Sequence, residues 1–328
     1  MRGVRAARTE EGSAPVRVDQ PLFLISQVQR SGGTLLLRLL DGHPQCHVVP
    51  FQVRGIDAAA KVAPTGAEEA WNVLYDPKLA RRASGGYRQQ KRDVLRDEQV
   101  FPFDLQPARQ REIYDACTAS LDRPGTRRLV ECFFTAYFNA WSDYRGLHGP
   151  KRWLVAFEPS IAGSLQRRNA IGRLYPDGKV ISIARDPWSW YASARRWEPR
   201  WADRERALDH WCKVAGGSAK WYRQAAPRVR IVTFEALLTR TEDTMRRLAD
   251  WLEIDFAPSL LEPTFNGQPI AANSSFGDVA AAVSAKPLER ARQELDPGDV
   301  AYIEERAAKI YRKLVRRAGK DWVEAPVS

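Results

Sequence analysis

Leu22-Phe23-Leu24-Ile25-Ser26-Gln27-Val28, then Gln29-Arg30-Ser31-Gly32-Gly33-Thr34, then Leu35-Leu36-Leu37-Arg38-Leu39-Leu40: this stretch decides the fold. An apolar run of strand length gives way to a polar turn with two glycines, and the turn opens directly into an apolar run of helical length. The segment reads as strand, tight loop, helix. Gly42 is placed to cap the C-terminus of that helix, and Pro44 cannot continue it. A turn of this kind lets the backbone N–H groups of Gly32, Gly33 and Thr34 converge on one anion, while the helix N-terminus adds partial positive charge. A nucleoside-triphosphatase loop would need G-x-x-x-x-G-K-[ST]. With Gly32 and Thr34 laid on that pattern, its first glycine becomes Gln27 and its lysine becomes Gly33. What remains is a cradle for phosphate or sulfate whose side-chain cation, Arg30, precedes the glycines.

Three further β-prone runs, Trp153 to Phe157, Lys179 to Ala184 and Arg228 to Thr233, are spaced widely enough for helical crossovers, which predicts parallel pairing. Directly after the second of them stand Arg185-Asp186-Pro187, with Ser193 farther along. Pro187 suits the first turn of a helix, so Ser193 falls about two turns into it. An arginine at a strand end and a hydroxyl on the next helix can grip one phosphate, the first as a charged fork and the second as a donor. Both motifs then lie at strand ends of one parallel sheet, where open α/β folds place their ligands. Elsewhere, Phe134, Tyr137, Phe138 and Trp141 follow helical spacing, as do Val300, Ile303, Ala307, Ile310 and Leu314 near the end. Thr239 and Glu242 read as a capping box opening a helix whose buried stripe is Met245, Leu248, Ala249 and Leu252.

Over 328 residues, 51 Lys and Arg against 40 Asp and Glu give a formal charge of +11, which draws anionic ligands at long range. A nucleotide with several phosphates and a nucleic acid both satisfy that field. No apolar run approaches the ~20 residues of a membrane span, so no membrane partner is expected and the chain reads as cytoplasmic. Residues 1–20 read as a disordered tail, and 21–328 as one domain interrupted by a helical insertion over about 57–112. Lys78, Arg81, Arg82, Arg88, Lys91, Arg92 and Arg96 give that insertion a basic face, either solvated or a lid for an acidic acceptor. Cys46, Cys117, Cys132 and Cys212 form no C-x-x-C pair and have no His at zinc-binding spacing, so they read as reduced thiols with no metal site. Trp188, Trp190, Trp197, Trp201, Trp211 and Trp221 crowd the region after the second motif. Core packing accounts for most of them, with Trp197 and Trp201 able to face an acceptor.

Taken together, these residues resemble the PAPS-dependent sulfotransferase family, most closely its tyrosylprotein-sulfotransferase-like and bacterial branches, over about residues 21–317. Gln29 to Leu35 is similar to the family's 5′-phosphosulfate loop, and Leu40-Asp41-Gly42-His43-Pro44 to its continuation. Arg185 and Ser193 match the 3′-phosphate motif. Val232 to Leu238 is similar to a recurring strand-and-turn segment, and Asn273-Ser274-Ser275-Phe276 resembles the late loop that closes over the nucleotide. The resemblance implies a P-loop-like three-layer α/β/α domain with a central parallel sheet. It implies 3′-phosphoadenosine 5′-phosphosulfate as co-substrate, with no metal required. The donor would be bound by Arg30, Ser31, Gly32, Gly33, Thr34, Leu35, Arg185, Ser193, Ser274, Ser275 and Phe276.

The chain also departs from the family's pattern. Its loop reads R-S-G-G-T where that branch has R-S-G-T-T, so Gly33 drops a hydroxyl. Acidic residues that supply the base of the tyrosylprotein enzymes are replaced by Val49-Pro50-Phe51-Gln52, and a lysine two residues before a proline is replaced by Phe157. Stabilisation of the oxygen that gains charge as its bond to sulfur breaks then falls to Arg30 and the helix end. His47 and Glu158, at presumed strand ends, are the candidates for the base, while His43 holds the helix-terminating turn. The acceptor reads as a hydroxyl or amine of a small molecule or glycan; its identity and the oligomeric state are not written in these residues. Two rival readings stand beside this one: a P-loop-like nucleotide kinase, against which the missing loop lysine argues, and a non-catalytic nucleotide- or nucleic-acid-binding protein. On the sulfotransferase reading no nucleic acid is expected.

Overall fold

The computed structural model describes residues 14–53, 55–64, 66–83, 103–270 and 294–322. Strand β1 (Leu22–Gln27) and helix α1 (Gly33–Leu40) flank the glycine turn, followed by β2 (Cys46–Gln52). Helices α2 (Gly55–Val62), α3 (Ala67–Leu74), α4 (Pro77–Ala83), α5 (Pro107–Ala119) and α6 (Thr126–Ala140) intervene before β3 (Trp153–Phe157). Then come α7 (Leu165–Leu174), β4 (Lys179–Ala184), α8 (Pro187–Trp197), α9 (Arg204–Gln224) and β5 (Val229–Thr233). The chain continues through α10 (Phe234–Thr239), α11 (Thr241–Leu252) and a small hairpin of β6 (Thr264–Phe265) and β7 (Gln268–Pro269), with α12 (Pro297–Trp322) at the end. None of the described helices is long and apolar enough to cross a membrane.

The five long strands form one sheet in the order β2-β3-β1-β4-β5, every pair parallel. Successive side chains of a strand point to opposite faces, and that alternation builds two cores. Phe23, Ile25, Val155, Phe157, Ile181 and Ile183 pack with Leu36, Leu37 and Leu40 of α1 and Met245, Leu248 and Leu252 of α11. Leu22, Leu24, Leu154, Ala156, Val180 and Ile231 pack on the other face, against a core that includes Ile171 of α7, Trp190 of α8, Trp211 of α9 and Ile303 of α12. This is the three-layer α/β/α architecture with a parallel sheet. The chain leaves β1 toward β2 on one side and later crosses to β4 on the other, so the switch point falls beside β1, where the turn at residues 28–32 opens.

Several local expectations are revised. Residues 16–18, read as part of a tail, are bonded to α6: the Val16 N–H donates to Asn139 Oδ1 at 2.9 Å, the Val18 N–H to Thr135 Oγ1 at 2.9 Å, and the Val18 side chain is buried. Cys117 and Cys132 are not free thiols but form a disulfide, because neighbouring helices α5 and α6, joined by a short turn, bring their Cα atoms to 5.7 Å. The capping box does not form. Thr239 closes α10 and donates to the Glu235 carbonyl, whereas Thr233 caps that helix by accepting from the Ala236 N–H. Within the expected insertion, α2 to α4 are helical; Gly85, Gly86, Arg88, Lys91, Arg92 and Arg96 lie outside the described residues. Val300 is exposed, while Ile303, Ala307 and Leu314 of α12 are buried as their spacing requires.

Candidate functional site

The turn after β1 is bent by two left-handed residues, Arg30 at φ 68° and Gly32 at φ 96°. At Gly32 only glycine fits, since a β-carbon there would meet Phe234 Cδ2 at 2.3 Å. The strained Arg30 backbone is held by its neighbours. Its carbonyl accepts from Arg185 Nη1 at 2.9 Å, and the preceding Gln29 carbonyl accepts from Trp190 Nε1 at 2.6 Å. The Gln29 side chain is fixed as well, its Oε1 accepting from Ser160 Oγ at 2.5 Å and meeting His210 Nε2 at 2.6 Å. Ser31 Oγ is buried at the centre of this turn with no hydrogen-bond partner among the described residues. Thr34 is exposed and Leu35 half-buried in the first turn of α1.

Helix α8 organises the other side. Asp186 caps it by accepting from the Ser189 N–H at 2.9 Å, and Pro187 occupies its first turn. Ser189, Ser193 and Trp197 stand four residues apart and therefore share one face. Ser189 Oγ accepts from Arg185 Nε at 3.0 Å, the Trp197 ring lies under the Arg30 guanidinium at 4.1 Å, and buried Ser193 sits between them in the row. Arg185 is itself buried and stacks on Phe234 at 4.8 Å. Burial pulls its pKa down to about 10, Asp186 and Glu235 oppose that, and the Arg30 charge adds to it. The group remains a cation at neutral pH. Arg30, Ser31, Gly32, Gly33, Arg185 and Ser193 are thus brought to one end of the sheet by β1, β4 and α8. Ser274, Ser275 and Phe276 lie outside the described residues.

One donor of the cradle is already used. The Gly33 N–H donates to Gln27 Oε1 at 2.5 Å, so it does not point freely at an anion as the sequence suggests. The space above Gly33 is taken by the Phe157 ring, whose Cε2 would lie 2.4 Å from a β-carbon at position 33.

Of the two candidate bases, His47 is at the wrong end of the sheet. It pairs in register with Leu154, which pairs with Leu22, the first residue of β1. The rest of β1 separates it from the turn by roughly 16 Å. It is fully buried beside Phe138 and Tyr144, with Nδ1 3.2 Å from the Tyr144 hydroxyl, and desolvation drives its pKa down to about 3. His43 does hold the turn after α1: its Nε2 bonds the Asp255 carbonyl at 2.8 Å, and its Nδ1 accepts from the Gln45 N–H at 3.2 Å. Glu158 is at the correct end, its N–H bonded to the Ile25 carbonyl at 3.0 Å. The residue is 7% exposed, and its carboxyl pKa is pushed up to about 7, first by burial and then by Asp57, against Arg167 and the Gln52 amide, which favour the charged form.

A family model described as the sulfotransferase family matches residues 21–258. The chain belongs to that family. Its fold is similar to the sulfotransferase domain of the Synechococcus PCC 7002 olefin synthase, at 16% identity over 96% of this chain and 99% of that one, with a TM-score of 0.56. It is also similar to the sulfotransferase domain of the curacin biosynthetic pathway, at 16% identity over 88% and 98%, with a TM-score of 0.51. No curated protein sequence matches it. The protein is therefore a sulfotransferase, an enzyme of sulfuryl transfer.

Two residues of this sulfotransferase's site escaped the sequence reading. His210 lies on α9, far along the chain from its partner Gln29, in a stretch without a motif. Glu235 accepts from the Asp186 N–H at 3.0 Å and from the Tyr311 hydroxyl at 3.1 Å, tying α10 to the second phosphate motif and to α12. Its place directly after Phe234 in a recognised segment was the signal available. Trp201, expected to face an acceptor, packs instead in the core beside Trp190 and His210.

Proposed function

We propose that this sulfotransferase takes its sulfuryl group from 3′-phosphoadenosine 5′-phosphosulfate and passes it to a hydroxyl or amine of a small-molecule or glycan acceptor. The observation that carries the reading is the bond from the Arg185 guanidinium to the Arg30 backbone carbonyl, which ties a second arginine to the turn that bears Arg30 at the switch point of a parallel sheet. Two cations held this close, with Arg185 desolvated, suit a ligand bearing anions at both ends. Arg185 and Ser193 take the 3′-phosphate. Arg30, the hydroxyl of Ser31, the N–H groups of Gly32 and Thr34 and the start of α1 take the 5′-phosphosulfate, with Leu35 completing the first turn. The buried Ser31 hydroxyl, without a partner among the described residues, supports this, since an anion oxygen would satisfy it.

In the transfer, Arg30 and the N-terminus of α1 stabilise the charge that grows on the leaving phosphate oxygen. The lysine that would share this task is absent, and Phe157 stands in its place. Glu158 is the base that accepts the acceptor's proton, and His47 takes no part. A carboxyl whose pKa stands near 7 can receive that proton at neutral pH and return it to water.

Calorimetric titration with 3′-phosphoadenosine 5′-phosphate tests the donor. Wild type should bind, and Arg185→Ala combined with Ser193→Ala should lose binding by at least 100-fold, on the order of two charge-assisted contacts. Wild type that does not bind the nucleotide would refute the donor assignment.

A further inference from the structure

Resting on Glu158 as the base, we propose that Arg167 and Asp57 are its positioning residues: Arg167 holds one carboxylate oxygen, leaves the other for the acceptor's proton, and is itself held by Asp57 of α2. Arg167 Nη2 donates to Glu158 Oε1 at 2.8 Å, and Arg167 Nε donates to Asp57 Oδ2 at 2.5 Å. The rigid guanidinium fork therefore bridges two carboxylates from two different elements. Glu158 Oε2 is buried and has no hydrogen-bond partner among the described residues. Both acids are buried, so removing Arg167 would leave uncompensated buried charge, which is strongly unfavourable.

The backbone beneath the base is equally constrained. The Glu158 N–H is bonded to Ile25, the Ser160 N–H to the Gln27 carbonyl at 2.7 Å, and Ser160 Oγ to Gln29. The segment carrying the base is thus stitched to the turn carrying Arg30. The charged groups facing Glu158 are Arg167 from α7 and Asp57 from α2, with Lys61 of α2 3.4 Å from Asp57; from β2 comes only the neutral Gln52 amide. In consequence the start of the helical insertion, ahead of the basic face that the sequence reads as solvated or a lid, supplies part of the catalytic apparatus.

In the step itself, the proton of the acceptor O–H or N–H passes to Glu158 Oε2 as the acceptor atom bonds to sulfur. The bond between sulfur and the donor's bridging oxygen breaks, and its electron pair stays on the departing phosphate. Glu158 then releases the proton to water.

The two positioning residues act on the base with opposite sign: the Asp57 charge raises its pKa and Arg167 lowers it. The test follows release of 3′-phosphoadenosine 5′-phosphate from 3′-phosphoadenosine 5′-phosphosulfate against pH, with water as acceptor, and titrates the carboxyl directly by infrared difference spectroscopy with Glu158→Gln as the blank. Asp57→Asn should move the acid limb and the infrared titration to lower pH, and Arg167→Gln should move both to higher pH, each by about one unit. Arg167→Lys should recover the pKa in part but little of the turnover, since an ammonium cannot bridge both carboxylates. If the substitution to Gln unfolds the chain, Asp57→Asn and Arg167→Lys still decide the matter. Shifts in the same direction, no shift, or undiminished turnover in Glu158→Gln would overturn the proposal. Calorimetry with 3′-phosphoadenosine 5′-phosphate on each variant separates the two readings: binding retained with an unmoved profile defeats the positioning role alone, whereas a wild type that does not bind defeats the donor assignment.

Discussion

A β-carbon placed on Gly33 would lie 2.4 Å from Cε2 and 2.9 Å from Cζ of Phe157, so these two departures from the family's sequence pattern are one packing solution. The ring occupies the room that the missing side chain leaves, and Gln27 takes up the Gly33 N–H. Gly33→Ala should therefore destabilise by about 1–3 kcal/mol through overpacking, although alanine is the better helix former. Phe157→Ala should cost about 3–5 kcal/mol through its cavity. Combined, they should cost at least ~1 kcal/mol less than the sum, because each relieves the other's defect. Urea unfolding of the four proteins measures this coupling; strict additivity would contradict the packing relationship.

Trp197 holds the Arg30 guanidinium at 4.1 Å from its ring, four residues beyond Ser193 on the same face of α8. On the proposed role of Arg30 in the transfer, removing the ring takes away one of the contacts that hold its guanidinium in place. Trp197→Ala should lower turnover about 5- to 30-fold, in line with a cation–π contact of about 1–2 kcal/mol. Trp197→Phe should retain most of it. Affinity for 3′-phosphoadenosine 5′-phosphate, read by calorimetry, should change less than turnover does.

His47 is buried and neutral, its pKa lowered to about 3, and His210 is lowered to about 4, in both cases chiefly by desolvation. The unfolded chain, with imidazoles near 6.5, binds protons that the folded chain refuses. Stability is therefore full above about pH 6.5 and falls as the pH drops toward these values, with a slope of up to about 1.4 kcal/mol per pH unit for each group. His47→Phe should flatten that slope in urea titrations between pH 4 and pH 7 and leave the pH profile of turnover unmoved. An altered turnover profile would restore His47 to the chemistry.

The Cys117–Cys132 bond closes a short loop between α5 and α6. Loop-closure entropy for this length is worth about 3 kcal/mol. Reduction with dithiothreitol, or Cys117→Ser with Cys132→Ser, should lower the urea midpoint accordingly, and an unchanged midpoint would show that the cross-link adds nothing to stability.

What the sequence determined by itself was local or periodic. The strand–turn–helix at residues 22–40, the parallel strands at Trp153, Lys179 and Val229, and the placement of Arg185 at a strand end with Ser193 on the next helix all follow from alternation, helical spacing and the preferences of glycine and proline. These suffice to put the two motifs read as phosphate-binding at one end of one sheet. Tertiary structure decided everything that depends on the order and register of strands. His47 and Glu158 both read as residues at strand ends, yet β2 places the first beside the start of β1 while β3 delivers the second beside its end. Gly33 meets Phe157, Gln29 meets His210, Cys117 meets Cys132 and Asp57 meets Arg167 only because the sheet and its helices fold those distant segments together. No local pattern encodes such meetings, since backbone propensity and hydrophobic period act over a few residues, whereas these contacts are set by how whole layers pack.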